Sequence, residues 1–214
     1  MNLAGNIANR LLQINAIKLN TKEPFTWASG LRSPIYCDNR LILSYPDVRN
    51  VVVKGLCREA LSFEGTNCIA GVATAGIPWG AMVADHLDLP FVYVRAKPKE
   101  HGLKNMIEGK LPENPEVLVI EDLISTGGSS LEAVSALKAE NSKIMGVLAL
   151  FQYGFPSATD KFAQNKIKLN TLTNFETLLV RALQGNYIHP EEYENLKSWN
   201  LNPKLWSDSF LNHN

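Results

Sequence analysis

The sequence predicts an α/β fold with a mostly parallel central sheet and helices on both faces. The middle of the chain repeats a pattern of apolar strand, glycine-bearing loop and helix, and strands such as 117–120 and 144–151 read as continuous apolar runs. Strands buried on both faces read in this way, and strands that alternate with helices pair in parallel. Ligands of such sheets bind beyond the carboxyl ends of the strands.

The N-terminal third is predicted to begin and end with a helix. The apolar residues of the first helix recur at helical spacing: Leu3, Ile7, Leu11 and Ile14. Aromatic residues and helix-breaking glycine and proline then favour short strands or loop over residues 25–43. A second helix is expected over residues 47–63, because Ser44 and Asp47 have the spacing of a capping box and Pro46 suits the first helical turn.

The alternating pattern occupies the middle of the chain. It comprises strands at 68–74, 90–95, 117–120 and 144–151 and helices at 75–87 and 131–141. In the tail, from about residue 167, helices are expected at 174–184 and 189–199, but no chemistry is recognisable there. We therefore expect one domain over residues 1–214, divided into a small N-terminal part (1–45), a core (about 46–170) and a C-terminal helical extension (about 171–214).

Composition excludes several classes of protein. Basic and acidic residues balance at 21 each, so no overall charge favours nucleic acid or an anionic membrane. No apolar run approaches the ~18 residues of a membrane span, and no secretory leader is recognisable. Three cysteines without a CxxC pair suit free, buried thiols in a reducing compartment: Cys37, Cys57 and Cys68. We expect a soluble, cytoplasmic protein.

The most informative segment is 117–130, VLVIEDLISTGGSS. Glu121 and Asp122 are expected at the carboxyl end of a strand, and residues 125–130 open the next helix. Amides in a glycine and hydroxyl turn at a helix N-terminus form an anion nest, while the carboxylates suit sugar hydroxyls or a hydrated metal. A ribose 5-phosphate fits both halves. The alternative is a plain tight turn with acids that cap a helix; P-loop and dinucleotide fingerprints are absent.

A long polar loop at 95–111 separates two of the predicted strands. It is rich in candidate cations: Arg95, Lys97, Lys99, His101, Lys104 and Lys110. Such a loop is either a solvated connection or a functional lid. Mobile cations that close over an anionic leaving group would neutralise its charge and exclude water.

Four segments in order carry a family resemblance. Residues 117–129 resemble the phosphoribosyl pyrophosphate (PRPP) motif of type I phosphoribosyltransferases. The loop at 95–102 is similar to the catalytic loop of orotate phosphoribosyltransferases, residues 29–34 resemble the SGxxSP string of their N-terminal hood, and residues 71–80 resemble their pyrophosphate loop. The resemblance implies the type I phosphoribosyltransferase fold, with residues 1–45 as the hood.

The resemblance also implies site residues. The implied catalytic residues are Lys99, His101 and Asp122. The implied PRPP-binding residues are Thr74, Ala75, Arg95, Lys99, His101, Glu121, Asp122, Leu123, Ile124, Ser125, Thr126, Gly127, Gly128 and Ser129. The implied orotate-binding residues are Ser125 and Tyr36, with Arg32 and Arg40 added as our hypothesis. Magnesium is expected mainly on PRPP and water rather than on a protein cage, and a homodimer would share the catalytic loop.

The sequence departs from the best-known bacterial branch of that family. Ala28, Ala75 and Ala96 stand where that branch has lysines, and Gln152 stands near its carboxylate-binding arginine. The partner of the orotate carboxylate is therefore open; Arg32 or Arg40 could bind it, or these arginines could only position the hood.

The function expected from these motifs is transfer of the PRPP ribose to orotate, giving orotidine 5'-monophosphate for pyrimidine synthesis. Two alternatives are a purine or uracil phosphoribosyltransferase, which should lack the SGxxSP hood, and a non-catalytic regulator that senses PRPP. A regulator would usually add a nucleic-acid-binding segment, and neither the charge balance nor the N-terminal helix supplies one.

Overall fold

The computed structural model describes residues 2–27, 29–96 and 106–211. Its strands are β1 (Ile17–Leu19), β2 (Phe25–Thr26), β3 (Arg32–Ser33), β4 (Ile35–Cys37), β5 (Cys68–Val72), β6 (Phe91–Val94), β7 (Ile107–Glu108), β8 (Glu116–Ile124), β9 (Lys143–Gln152) and β10 (Leu169–Asn174). Its helices are α1 (Leu3–Gln13), α2 (Pro46–Ala60), α3 (Gly76–Leu87), α4 (Gly128–Ala139), α5 (Pro156–Gln164), α6 (Phe175–Gln184), α7 (Pro190–Leu201) and α8 (Pro203–Leu211), and a 3₁₀ helix spans Asn39–Ser44.

Six strands form the central sheet in the order β10-β9-β8-β5-β6-β7. All neighbours pair in parallel except β7, which runs antiparallel to β6. Successive residues of β8 enter different apolar clusters, since Leu118 and Ile120 pack on one face and Val117 and Val119 on the other. The predicted mostly parallel sheet with helices on both faces is confirmed.

Glycines bring α3 close to the sheet. A Cβ atom on Gly76 would lie 2.6 Å from the carbonyl oxygen of Ile120, and one on Gly80 would lie 2.8 Å from the Phe91 ring. Both distances are far below van der Waals contact. The absence of side chains therefore lets the N-terminus of α3 reach the carboxyl end of β8.

Two small antiparallel sheets build the hood. Strand β1 pairs with β4, and β2 pairs with β3 in a hairpin whose turn includes Gly30 at φ +84°. The Trp27 indole N–H donates to the Ile35 carbonyl (3.2 Å), which ties the hairpin to β4. The short strands expected within 25–43 are confirmed.

Several boundaries differ from the prediction. The predicted capping box at Ser44 is wrong: α2 has Tyr45 as its N-cap, without a side-chain cap, because Ser44 ends the 3₁₀ helix and Pro46 begins α2. Strand β8 continues past Ile120, since its ladder with β9 extends to the Ile124–Gln152 pair.

Six elements were not predicted, namely β1, the 3₁₀ helix, β7, α5, β10 and α8, whereas the helices expected in the tail are confirmed as α6 and α7. Strand β10 crosses the boundary expected near residue 170, and the division into hood, core and extension stays a prediction. No helix in the described part of the chain is both long and apolar enough to cross a bilayer.

Candidate active site

Two adjacent carboxyl groups lie near the carboxyl end of β8. Glu121 is buried, and its Oε2 accepts hydrogen bonds from the hydroxyls of Ser130 (3.2 Å) and Ser129 (3.4 Å) on α4. Its Oε1 accepts the backbone N–H of Asp122 (3.1 Å). On the hood side, the buried Asn39 amide donates to the Asp122 carbonyl (2.8 Å). The acids therefore connect the helix that follows β8 with the hood.

Burial raises the pKa of Glu121 well above its usual value, and the neighbouring Asp122 raises it further. Burial also raises the pKa of Asp122, although hydrogen bonds from Glu121 and the Leu123 backbone, together with nearby Arg40, act in the opposite direction. Two acids held this close ionise together only when a cation or hydroxyl donors compensate them. The pair is therefore prepared for a ligand that supplies such groups.

The turn after β8 presents backbone amides. Gly127 is the N-cap of α4 at φ +75°, with no side-chain cap, so the first amides of the helix lack intrahelical acceptors. A Cβ atom on Gly127 would lie 2.7 Å from the Phe162 ring of α5, and Lys161 of the same helix donates to the Thr126 carbonyl (3.3 Å). The unpredicted helix α5 thus packs behind a turn whose free amides suit an anion.

The other residues assigned to PRPP differ in exposure. Ser125 is half-buried, while Thr126 and Ser129 are exposed. Leu123 and Ile124 pack in the two apolar clusters. These last two could reach a ligand through their backbone atoms.

A second loop reaches the same edge from β5. Thr74 is exposed, and its peptide bond with Ala73 is cis. A small cavity is lined by Ala73, Arg95 and Ser129, so the loop after β5, the end of β6 and the N-terminus of α4 meet there. We call residues 73–75 and 121–130 the carboxyl edge. Thr74 and Ala75 lie near the acids, since a Cβ atom on the following Gly76 would lie 3.4 Å from Glu121 Oε1, and their role in PRPP binding stays a prediction.

The polar loop is anchored at its base. Arg95 donates its backbone N–H to the Met106 carbonyl (2.8 Å), and its guanidinium lies 3.5 Å from Glu108. Lys110 is exposed after β7. The predicted residues Lys97, Lys99, His101 and Lys104 lie outside the described residues.

Two residues assigned to orotate by the sequence, Tyr36 and Arg40, lie on the exposed side of the hood. Tyr36 on β4 is 41% exposed, with its ring 5.7 Å from that of Phe25. Arg40 forms a two-point ion pair with Asp38 (2.7 and 3.0 Å), which raises its pKa, and Tyr36 and Asp122 raise it further. Arg40 also follows Asn39, whose amide donates to the Asp122 carbonyl.

Arg32 has a different environment. It lies on β3, where its backbone N–H donates to the Ser207 hydroxyl of α8 (3.0 Å).

Two residues near the site were missed from the sequence. Asn39 holds the Asp122 backbone, and Tyr153 lies just beyond β9, where burial raises its pKa and Cys37, Asp122 and Tyr36 raise it further. The alternation of aromatic residues at 151, 153 and 155 was the available signal. It marks a strand end rich in rings, but it does not reveal which ring packs against Trp27 of the hood.

Comparisons with known proteins agree with this geometry. A family model described as a phosphoribosyl transferase domain matches residues 56–173. The orotate phosphoribosyltransferase of Cytophaga hutchinsonii is 48% identical over 207 residues, which are 96% of this chain and 99% of that protein. The chain belongs to the orotate phosphoribosyltransferase family. The prediction of this family, and with it of a pentosyltransferase enzyme, is confirmed.

Solved structures confirm the fold class. Orotate phosphoribosyltransferase from Aeropyrum pernix is 28% identical, with a TM-score of 0.74 over 86% of this chain and 99% of that one. Leishmania donovani UMP synthase has a TM-score of 0.78 at 22% identity and is matched over 93% of this chain. The chain spans 42% of the length of that synthase.

Gln152 stands near the position where the best-known branch of orotate phosphoribosyltransferases has its carboxylate-binding arginine. The Gln152 amide donates to the Thr171 hydroxyl of β10 (3.0 Å), so the side chain is tied to the neighbouring strand.

Cys57 and Cys68 are buried, Cys37 is partly buried, and all three are free thiols.

Proposed function

We propose that this protein joins orotate to the ribose of PRPP, with release of pyrophosphate, to give orotidine 5'-monophosphate for pyrimidine synthesis. The observation that carries the proposal is the placement of Glu121 and Asp122 next to the uncapped turn at Gly127. A carboxyl pair and an amide nest at one edge suit the hydroxyls and the 5-phosphate of one ribose phosphate. The relatives are named orotate phosphoribosyltransferases, and we therefore propose orotate as the base.

In the proposed reaction, the bond between the ribose anomeric carbon and the diphosphate oxygen breaks, and a bond from that carbon to a ring nitrogen of orotate forms. The electron pair leaves with pyrophosphate, and orotate supplies its nitrogen as an anion. Positive charge develops on the ribose, as in glycoside chemistry. Asp122 and Glu121 would orient the ribose hydroxyls, while residues 125–129 hold the 5-phosphate.

Magnesium fits the donor set of the carboxyl edge. Glu121 and Asp122 offer oxygen ligands, which this ion prefers, but two carboxylates do not fill an octahedral shell. We propose that substrate oxygens and water complete the shell. When bound, the ion would offset the charge of the diphosphate, while the chain's own acids position the sugar.

The polar loop is proposed to close over the diphosphate. Arg95 lies at its base beside Ala73 and Ser129, and Lys99 and His101 would supply cations and a proton donor to the leaving group. We also propose a homodimer in which this loop acts at the partner's site.

The free thiols support a reducing, cytoplasmic location.

Orotate is proposed to lie between Asp122 and the hood. Its planar ring would stack on Tyr36, and its carboxylate would bind Arg40 or Arg32. Arg40 has the stronger support, because it is exposed and follows Asn39, whose amide donates to the Asp122 carbonyl.

An absorbance assay tests the function. Purified protein is mixed with PRPP, magnesium and orotate, and the loss of orotate absorbance is followed, with uracil and hypoxanthine as matched alternatives. We expect turnover of orotate alone. Turnover of another base would redirect the assignment within phosphoribosyltransferases, and PRPP binding without any turnover would favour the regulator.

A further inference from the structure

The C-terminal helices α7 and α8 each form a hydrogen bond with the hood. The Thr21 hydroxyl donates to Glu192 of α7 (3.0 Å), and the Arg32 backbone N–H donates to the Ser207 hydroxyl of α8 (3.0 Å). Ser207 is buried. Segments more than 170 residues apart are therefore joined by hydrogen bonds, and one of these segments carries a candidate base-binding residue.

An aromatic cluster makes a third connection. Trp199 of α7 is fully buried, with its ring centroid 5.8 Å from Trp27 of the hood and 5.6 Å from Tyr153 at the end of β9. Phe155 and Phe175 each lie 5.4 Å from the same indole. Trp199 thus lies where the hood, the sheet and α6 meet.

Both neighbours of Trp199 lead to the base site. The Trp27 indole N–H donates to the carbonyl of Ile35, the residue before Tyr36. Tyr153 donates its backbone N–H to the Ile124 carbonyl at the end of β8 (3.0 Å), and its own carbonyl accepts a hydrogen bond from Asn200 of α7 (2.8 Å). A shift of α7 would therefore move both walls between which orotate is expected to bind.

We propose that α7 and α8 hold the hood in position over the carboxyl edge, with Trp199 and Ser207 as positioning residues for orotate. This inference rests on the proposed function, because it assumes that the hood binds the base. It gives the C-terminal extension, which showed no chemistry in the sequence, a role in substrate affinity. Neither residue touches the reacting atoms; each acts through the hood.

Four variants separate positioning from general stability. Ser207→Ala removes the hydroxyl that holds β3, and Trp199→Leu removes the indole at the centre of the cluster. Trp199→Phe retains an aromatic ring and also removes an indole N–H that has no partner among the described residues. Leu205→Ala is the control on α8, since that side chain is 65% exposed.

Steady-state kinetics are measured for both substrates. Because small displacements of a binding wall weaken the ligand held there, we expect the orotate KM to rise about fivefold in Ser207→Ala and about twentyfold in Trp199→Leu. The KM for PRPP and kcat should stay within about twofold, since the carboxyl edge is unchanged. Trp199→Phe should lie between the parent and Trp199→Leu, and Leu205→Ala should match the parent.

Hydrogen exchange supplies a readout that does not depend on turnover. Ser207→Ala should speed exchange at the amides of the β2–β3 hairpin, including Trp27 and Gly30, while the amides of β5 and β8 keep their protection. Exchange that rises equally throughout the chain, or an orotate KM that stays at the parent value in folded Ser207→Ala and Trp199→Leu, would overturn the proposal. If the parent fails to use orotate, the proposed function fails, and the exchange pattern still tests the positioning contacts.

Discussion

The carboxyl edge and the hood, the proposed sites for the ribose phosphate and the base, are built from different groups. The carboxyl edge offers backbone amides, the buried Glu121 and the half-buried Asp122 from one contiguous segment that ends β8 and opens α4, supported by the loop after β5. The hood uses exposed or half-buried side chains on two small sheets, held in place by the opposite end of the chain. We infer that recognition of the ribose phosphate depends on the central sheet and its loops. Recognition of the base depends instead on the contacts that hold the hood against α7 and α8.

The largest expected effect is at Asp122. Asp122→Ala should lower kcat/KM at least about a hundredfold, because a ribose without its carboxylate loses its orientation towards the incoming base. Steady-state kinetics with orotate and PRPP check this. Asp85→Ala, an exposed acid on α3, is the control and should retain parent activity. Activity close to that of the parent in Asp122→Ala would remove the carboxyl edge from the mechanism.

A backbone change at Gly127 should follow in size. Gly127→Ala places a Cβ atom at positive φ and against the Phe162 ring, so we expect a loss of about 1–3 kcal/mol in the free energy of unfolding. PRPP binding should weaken as well, since the turn must shift. Gly128→Ala is the matched variant for stability, because its added Cβ meets nothing closer than 4.0 Å. Equal unfolding free energies for the two variants would contradict the strained turn.

The hood arginines should have a moderate and selective effect. Arg40→Ala is expected to raise the orotate KM about tenfold through loss of a charge-assisted contact, with the KM for PRPP nearly unchanged. Arg32→Ala should have a smaller effect, because Arg32 lies on the hairpin against α8. Kinetics with each substrate varied in turn distinguish the two. An unchanged orotate KM in both variants would refute a hood arginine as the carboxylate partner.

The smallest effect concerns pH. Burial and Asp122 raise the pKa of Glu121 in the folded protein. The stability linked to its bound proton is complete below the unfolded pKa of about 4.3 and is lost as pH rises through the folded value. Glu121→Gln should therefore melt about 2–4 °C above the parent at pH 8, with a smaller difference near pH 5.

Thermal melting of Glu121→Gln and the parent across this pH range checks the sign. Glu113→Gln, a change at an exposed acid, should follow the parent at each pH. A gap between Glu121→Gln and the parent that widens as pH falls would contradict the raised pKa.

The same contrast explains what the sequence could predict. The carboxyl edge was predictable, because Glu121, Asp122 and the glycine turn are adjacent in the chain and follow an apolar strand. The strand was nevertheless underestimated, since polar residues gave no sign that the ladder with β9 continues to Ile124. Propensity alone does not report pairing with a neighbouring strand.

The hood was predictable as short strands but not as an assembly. The contact of Ser207 with the Arg32 backbone and of Trp199 with Trp27 joins residues that no local pattern relates. Helix α8 was missed for a similar reason, since its hydrogen bond with the hood joins Ser207 to a residue 175 positions away. Tyr153 was missed because the rings that pack against it, Trp27 and Trp199, lie far away in the sequence.

The division of binding between the carboxyl edge and the hood is tested most directly by an equilibrium titration of PRPP, with magnesium, into the parent, Arg40→Ala and Asp122→Ala. If PRPP binds at the carboxyl edge and the base at the hood, Arg40→Ala should bind PRPP with the parent Kd. Asp122→Ala should bind it at least about tenfold more weakly. Equal weakening in both variants would contradict the division between a carboxyl edge for PRPP and a hood for the base.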